Sequence, residues 1–141
     1  MNEVKIVRDV GTITSKSMKG FFQGWANPPN EETLHQLLLS ATQKTIAIDV
    51  KSETVVGFTY AISDLLLCAY IPLLEVLPEW KSQGFGSRLI KDLLDQLKDY
   101  YMIDVSCDAE LSSFYEKLGF EKAGAGMIRR NYKMQSGSSF K

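Results

Sequence analysis

One histidine, two cysteines and four prolines are spread over 141 residues, and each scarcity excludes a class of function. With a single histidine and no paired ligand spacing, the chain offers no metal centre. Its N-terminus, Met-Asn-Glu-Val-Lys, lacks the apolar core of a secretory signal, so a cytoplasmic location is expected. Cys68 and Cys107 are then read as reduced thiols buried in strands rather than as a disulfide. The longest apolar run, Leu65 to Leu74, contains Pro72 and falls short of the ~20 residues that span a bilayer, which argues against a membrane protein. Charge of one sign is also missing. Sixteen Lys and Arg stand against seventeen Asp and Glu, a net charge of −1, and the basic residues form no stripe, so nucleic acid is not an expected partner.

A 45% hydrophobic content in a chain of this length supplies one sizeable core, so one domain over residues 1–134 is expected. Residues 135–141, small and polar, read as a disordered tail. The chain is organised around residues 71–90, a strand, a glycine-bearing turn and the start of a helix. From Gly84 onward Leu89, Ile90, Leu93, Leu94 and Leu97 recur at helical spacing, with Arg88, Lys91, Asp92, Asp95 and Lys98 on the other side. The first turn, Gln83-Gly84-Phe85-Gly86-Ser87, has two glycines and so lacks the Cβ atoms that would hold a ligand off the backbone. Unpaired N–H groups and the helix dipole together make an anion site there, suited to phosphate or pyrophosphate. It is not a P-loop, because Gly86 is followed by Ser87-Arg88 and no lysine is placed for a γ-phosphate. Nor is it a dinucleotide fingerprint, whose third small residue would fall at Leu89.

Taken in order, a strand is expected at residues 4–7, then a loop or weak helix through Gly20 and the aromatic cluster Phe21, Phe22 and Trp25 before Asn27-Pro28-Pro29. Asn30 has the place of an N-cap, with Glu31 and Glu32 in the first turn and Leu34, Leu37, Leu38 and Ala41 on one stripe. His35 falls off that stripe and reads as solvent-facing. Strands at 45–50, 54–62 and 66–77 form an antiparallel meander. The helix at 84–100 then crosses over to a strand at 102–107, parallel to the third strand of the meander. Asp108 caps a short helix carrying Leu111, Phe114, Tyr115 and Leu118, which Gly119 ends. Two last strands are expected at 120–123 and 127–131.

Lys81-x-x-Gly84-x-Gly86 after Val-Leu-Pro resembles the acetyl-CoA-binding motif of the GNAT superfamily of N-acetyltransferases, with lysine in place of the usual arginine or glutamine. Phe114-Tyr-Glu-Lys-Leu-Gly-Phe120 resembles the closing motif of the same family, in which a tyrosine faces the coenzyme sulfur. The element order matches over nearly the whole chain. The resemblance implies an α+β fold of three layers: a mixed, mostly antiparallel twisted sheet flanked by helices and splayed between its two central parallel strands. It also implies acetyl-CoA as co-substrate and an amine, in a small molecule or exposed on a protein, as acceptor, and it leaves room for a homodimer. Residues placed at the coenzyme by resemblance are Leu74, Val76, Lys81, Ser82, Gln83, Gly84, Phe85, Gly86, Ser87, Asp108 and Tyr115.

Acetyl transfer needs a neutral amine, a stabilised oxyanion and a proton for the thiolate. By resemblance, the N–H near Val76 polarises the carbonyl and Tyr115 protonates the thiolate, a transfer that free pKa values of about 10 and 8.5 allow. A core tyrosine is the alternative for Tyr115. Strand alternation puts Leu73, Glu75 and Leu77 on one face and Leu74 and Val76 on the other, leaving Glu75 the one charge between apolar faces. Such a carboxylate is either the base for the amine or half of a structural pair. Phe22 and Trp25 either line the acceptor cleft, as the first helical region does in this family, or belong to the core. Arg129 and Arg130 either meet an acidic acceptor or are solvated. A non-catalytic acyl-CoA-binding or sensing module on the same fold is the alternative to the enzyme, and an interaction protein with a merely tight helix start is a third reading.

Overall fold

The computed structural model describes residues 2–137. Five strands form one sheet in chain order: β1 (Val4–Val7), β2 (Gln43–Asp49), β3 (Thr54–Ser63), β4 (Cys68–Val76) and β5 (Met102–Val105). The first three pairings are antiparallel and the last, β4 with β5, is parallel, reached through helix α2 (Phe85–Gln96). Helix α1 (Glu31–Ser40) follows the aromatic cluster, and α3 (Ser112–Glu116) follows β5. Three layers result, in the mixed α/β architecture expected.

Each helix covers one face of the sheet. Leu34 and Leu38 of α1 pack with Ile46, Ile48, Phe58, Tyr60 and Phe22, while Ile90, Leu93 and Leu97 of α2 pack with Ala61, Ala69, Ile71 and Tyr115. Leu89, Ile90 and Leu93 are fully buried, each contributing about 1.5–3 kcal/mol by removal from water. Asn30 Oδ1 caps α1 by accepting Thr33 N–H at 2.8 Å. The polar side of α2 is tied down as well. Asp92 accepts from Arg8 at 2.9 Å and from Thr45 Oγ1 at 2.8 Å, and Gln96 donates to Lys44 O at 2.8 Å. Burial alone would raise the Asp92 carboxyl, but these hydrogen bonds outweigh it and hold the pKa below 3.8. The helix whose N-terminus carries the two glycines is thus fixed along both sides.

Several local expectations differ from what is found. Residues 120–131 form no strand; Gly119, Gly124 and Gly126 interrupt the stretch, and Met127 and Ile128 stay exposed. Cys107 lies beyond β5 and is exposed, and Cys68 is half-buried with Sγ 3.7 Å from Met102 Sδ; both are free thiols, but neither is buried. His35 is half-buried rather than solvent-facing, and its Nε2 bonds Ile13 O at 3.1 Å. Leu77, past the end of β4, packs with Leu89 and not on the face of Leu73. Leu111 is exposed, because a 3-10 turn at Ala109–Leu111 precedes α3. Of the tail, 138–141 lie outside the described residues, while Gln135 Oε1 accepts Asn27 N–H at 2.8 Å.

The turn between β3 and β4 is held by one carboxylate. Asp64 Oδ1 accepts from the N–H groups of Leu66, Leu67 and Cys68 at 2.9, 2.7 and 2.9 Å, and Leu65 is left-handed at φ 63. Those bonds, with Cys68 the largest contributor, bring the Asp64 pKa down from 3.8 to about 2. A carboxyl depressed in the native state stabilises the fold above its unfolded pKa and loses that contribution as pH falls through the native one. Asp64→Ala should therefore be less stable than wild type at pH 5, with the gap closing between about pH 4 and pH 2. Urea midpoints of both proteins across that range check it; a constant gap would separate the turn from the carboxylate's charge.

Candidate active site

The turn before α2 is wound by two left-handed residues, Ser82 at φ 63 and Gly84 at φ 86. The two glycines do different work. Gly84 satisfies the backbone, since a Cβ there would meet nothing within 4 Å but would be strained. Gly86 satisfies space: a Cβ on it would lie 3.5 Å from Phe114 Cζ and 3.9 Å from Leu74 Cδ2. Arg88 N–H is the first to bond back into the helix, to Gly84 O at 3.1 Å, so the N–H groups of Phe85, Gly86 and Ser87 point out of the first turn. Phe85 supplies an anchor as well as its N–H. Its ring is buried, edge-on to Trp80 at 5.9 Å, with the Arg88 guanidinium 5.5 Å above it. Lys81, Ser82 and Gln83 are exposed around this end, and Gln83 Nε2 donates to Glu79 O at 3.3 Å.

Beside this turn the sheet opens. Pairing of β4 with β5 runs from Cys68↔Met102 to Ile71↔Val105 and stops where Pro72, which has no N–H, follows. Register with β3 shifts in the same place, between Tyr60↔Leu73 and Ile62↔Tyr70. Before the shift, Leu67 O accepts Met102 N–H from the β5 side; after it, Leu77 N–H donates to Val56 O on the β3 side at 2.9 Å. Alternation then turns the backbone of Leu73 and Glu75 toward β3 and that of Leu74 and Val76 into the opening. The bulge changes the phase of the strand and frees two peptide units for a ligand.

Tyr115 follows Phe114 on α3. It is 7% exposed, edge-on to Phe114 at 5.0 Å and to Phe120 at 5.5 Å, and it lines a cavity of about 1020 Å³ that runs along β5, whose lining does not include Leu74, Val76, Gly86 or Phe114. Burial raises its pKa and the charge of Cys107 adds to the rise, so the phenol keeps its proton at neutral pH. Cys107, Ser112, Arg129 and Arg130 line the same cavity, the two arginines on exposed coil rather than on a strand end. Asp108 precedes the 3-10 turn, but its carboxylate makes no capping hydrogen bond; the cap is the backbone bond from Leu111 N–H to Asp108 O at 2.9 Å.

Glu75 is half-buried on the face opposite Leu74, and its Oε1 accepts Phe22 N–H at 2.9 Å. Phe22 belongs to the core, 3% exposed, whereas Trp25 is half-buried with its ring centre 4.9 Å from that of Phe22. The structure thus gathers Leu74, Gly86 and Phe114 at one opening, sets Tyr115 against Phe114 on the cavity along β5, and puts Glu75 and the aromatic loop on the other face of β4. Sequence reading passed over Phe114 as a lining residue and Cys107 as a cavity residue. Phe114 had a signal, its place with Leu118 at i, i+4 on the apolar side of the short helix expected after Asp108. Among the described residues no group of three His, Cys, Asp or Glu is placed to hold a metal ion.

Comparison with known proteins gives one answer. The family model described as an acetyltransferase (GNAT) domain matches residues 10–136. A crystal structure of a candidate acetyltransferase from Deinococcus radiodurans R1 is 41% identical, with a TM-score of 0.89, over 94% of this chain and 92% of that one. A GNAT-family acetyltransferase from Streptococcus pneumoniae TIGR4 is 27% identical, with a TM-score of 0.71, over 93% of this chain and 98% of the other. An uncharacterised N-acetyltransferase, ycf52, of Gracilaria tenuistipitata var. liui is 32% identical over 72 residues, 50% of this chain but only 40% of that protein's length.

Proposed function

Because the chain belongs to the GNAT acetyltransferase family, we propose that it is a single-domain, acetyl-CoA-dependent N-acetyltransferase that acts by direct attack of an amine on the thioester. The observation that carries this reading is the meeting of two features at one opening, the outward N–H groups beside Gly86 and the freed backbone of Leu74 and Val76, with Phe114 as shared wall and the Tyr115 phenol next along α3. The pyrophosphate of the coenzyme sits at the α2 N-terminus, where the dipole and the free N–H groups favour an anion and Lys81 adds a screened point charge. Gly86 leaves that approach clear, with Phe114 and Leu74 as its walls. The pantetheine arm pairs with the backbone of Leu74 and Val76 in the way a further strand would.

In the reaction the amine lone pair forms the new C–N bond, and the Val76 N–H stabilises the charge that builds on the carbonyl oxygen. The C–S bond then breaks, the thiolate takes the Tyr115 proton, and the amine proton passes to Glu75 directly or through water. The acceptor is a primary amine of a small molecule or an exposed protein amine.

Calorimetry with acetyl-CoA, followed by chromatographic detection of CoA release against a panel of polyamines, amino sugars, aminoglycosides and lysine peptides, tests the reading. Saturable coenzyme binding and turnover with at least one amine are expected. Binding without turnover on any of them would leave a sensing module, and no binding at all would sink the proposal.

A further inference from the structure

The loop from Gly20 to Trp25 is wound against the usual preference of the chain. Gly20, Phe22 and Gly24 lie at φ 95, 63 and 85, so every second residue is left-handed. For two glycines this is easy, but for a phenylalanine it is an outlier that persists only where its surroundings fix it. A segment wound this way cannot join a ladder, and its peptide groups need partners from elsewhere. Trp25 N–H turns back to Phe22 O at 3.3 Å. Phe22 N–H, on a residue only 3% exposed, reaches across 53 positions of chain to the Glu75 carboxylate at 2.9 Å.

The rest of the loop is packed onto the same half of β4. A Cβ on Gly20 would stand 3.1 Å from Leu77 Cδ2, and Phe21 is edge-on to Phe58 at 5.1 Å. Phe58 is the register partner of Glu75 on β3, so ring, carboxylate and loop meet at one rung of the sheet. The Phe22 ring adds a second edge contact to Phe58, at 6.1 Å, and holds Trp25 on its outer side at 4.9 Å. Side-chain packing fixes the rings, but only the carboxylate fixes the peptide plane that carries them. A bond from a neutral N–H to a charged acceptor is about twice as strong as one between neutral groups, and it is directional where packing is not.

We propose that Glu75 is a positioning residue for the acceptor side of the site: its carboxylate locks the aromatic loop Gly20–Trp25 over the opened half of β4 and so sets the wall that the incoming amine meets. The acceptor side in this statement rests on the acetyltransferase reading above; the lock itself does not. One oxygen is committed to Phe22 N–H, so the carboxylate is held in a single orientation, and any proton it takes from the amine arrives at its other oxygen. Loop order and proton acceptance are thereby joined in one side chain. An acceptor that displaces Phe22 from Glu75 also disturbs the base.

Replacing Glu75 two ways separates the two duties. Glu75→Gln keeps a carbonyl that Phe22 N–H can reach but has no charge and no basicity; Glu75→Met keeps the length of the side chain and has no acceptor oxygen. Hydrogen exchange at the Phe22 amide, followed by NMR, should accelerate about tenfold in Glu75→Gln and 100-fold or more in Glu75→Met. Both variants should lose kcat, whereas KM for the acceptor should rise about tenfold in Glu75→Met alone. Acetyl-CoA affinity should stay within about twofold in both, since the coenzyme lies on the other face of β4. Unchanged Phe22 exchange in Glu75→Met, or an acceptor KM equal in the two variants, would overturn the proposal. Should Glu75→Met not fold, the Glu-to-Gln step at the Phe22 amide decides it, an unchanged rate counting against. Exchange at Phe22 needs no turnover, so a chain that acetylates nothing yet shows the graded exchange refutes the enzyme reading and keeps the lock.

Discussion

Gly86→Asp should raise the dissociation constant for acetyl-CoA by at least about 100-fold while leaving the fold intact. Three effects act together. The new side chain starts 3.5 Å from Phe114 and 3.9 Å from Leu74, so it fills the approach between them. Its carboxylate lies beside the N–H groups that would receive a phosphate, and two like charges near one helix end repel where each alone would be attracted. It also offers those N–H groups an internal acceptor, so that binding must break a bond before it makes one. The fold should tolerate the change, because a Cβ at this position meets only ordinary van der Waals contact and an acidic residue in the first turn of a helix is stabilising by about 0.3–1 kcal/mol. A melting temperature at or above that of wild type, together with lost binding in calorimetry, is the expected pair of results. Gly86→Ala separates volume from charge: it adds the Cβ alone and should weaken binding by about tenfold or less. Equal affinity for Gly86→Asp and wild type would remove the coenzyme from the α2 N-terminus.

What could be read in the sequence were the features set by near neighbours. The stripe Leu89, Ile90, Leu93 and Leu97 declares a helix with one buried face because its period is local, and all four are indeed buried. Asn30 announces its cap three residues ahead of the N–H it accepts. The glycine turn was legible for the same reason, with Gly84 left-handed directly before the first residue of α2. What escaped depends on partners far along the chain. The glycine turn before residues 127–131 suggests a strand there, but a turn signal names no partner, and the stretch remains coil. The bond from Phe22 to Glu75 could not be anticipated, since nothing in an aromatic cluster says that one of its peptide groups will be left-handed and in need of an acceptor. The bulge beside Pro72 was hidden too. Proline marks where pairing with β5 must fail, but the change of phase that points Leu74 and Val76 into the opening follows from the register on both sides.

Tyr115→Phe should lower kcat by about 100-fold or more and leave acetyl-CoA affinity and thermal stability close to wild type, because it deletes one oxygen from a ring whose packing is complete without it. The ring is held edge-on by Phe114 and Phe120 at 5.0 and 5.5 Å, contacts that phenylalanine keeps. Phe120 N–H returns to Tyr115 O at 3.1 Å, a backbone bond that the substitution does not touch. The hydroxyl has a different standing. It belongs to a residue 93% covered by protein, and burial holds its pKa above 10, so the phenol carries its proton at neutral pH. The leaving thiolate accepts that proton far more readily than the intact thioester does, so the donation is made as the C–S bond breaks and belongs in kcat rather than in KM. The sign of the pH dependence follows from the same shift. Activity limited by the phenol's protonation falls as pH rises through a value above 10, so wild type should have no basic limb from Tyr115 in the range where the amine deprotonates. Steady-state rates from pH 6 to 9.5 for both proteins, with acetyl-CoA saturating, provide the check. A parallel profile displaced downward by a constant factor supports the assignment, and a kcat unchanged by the substitution would leave Tyr115 as a core residue whose proton the reaction does not use.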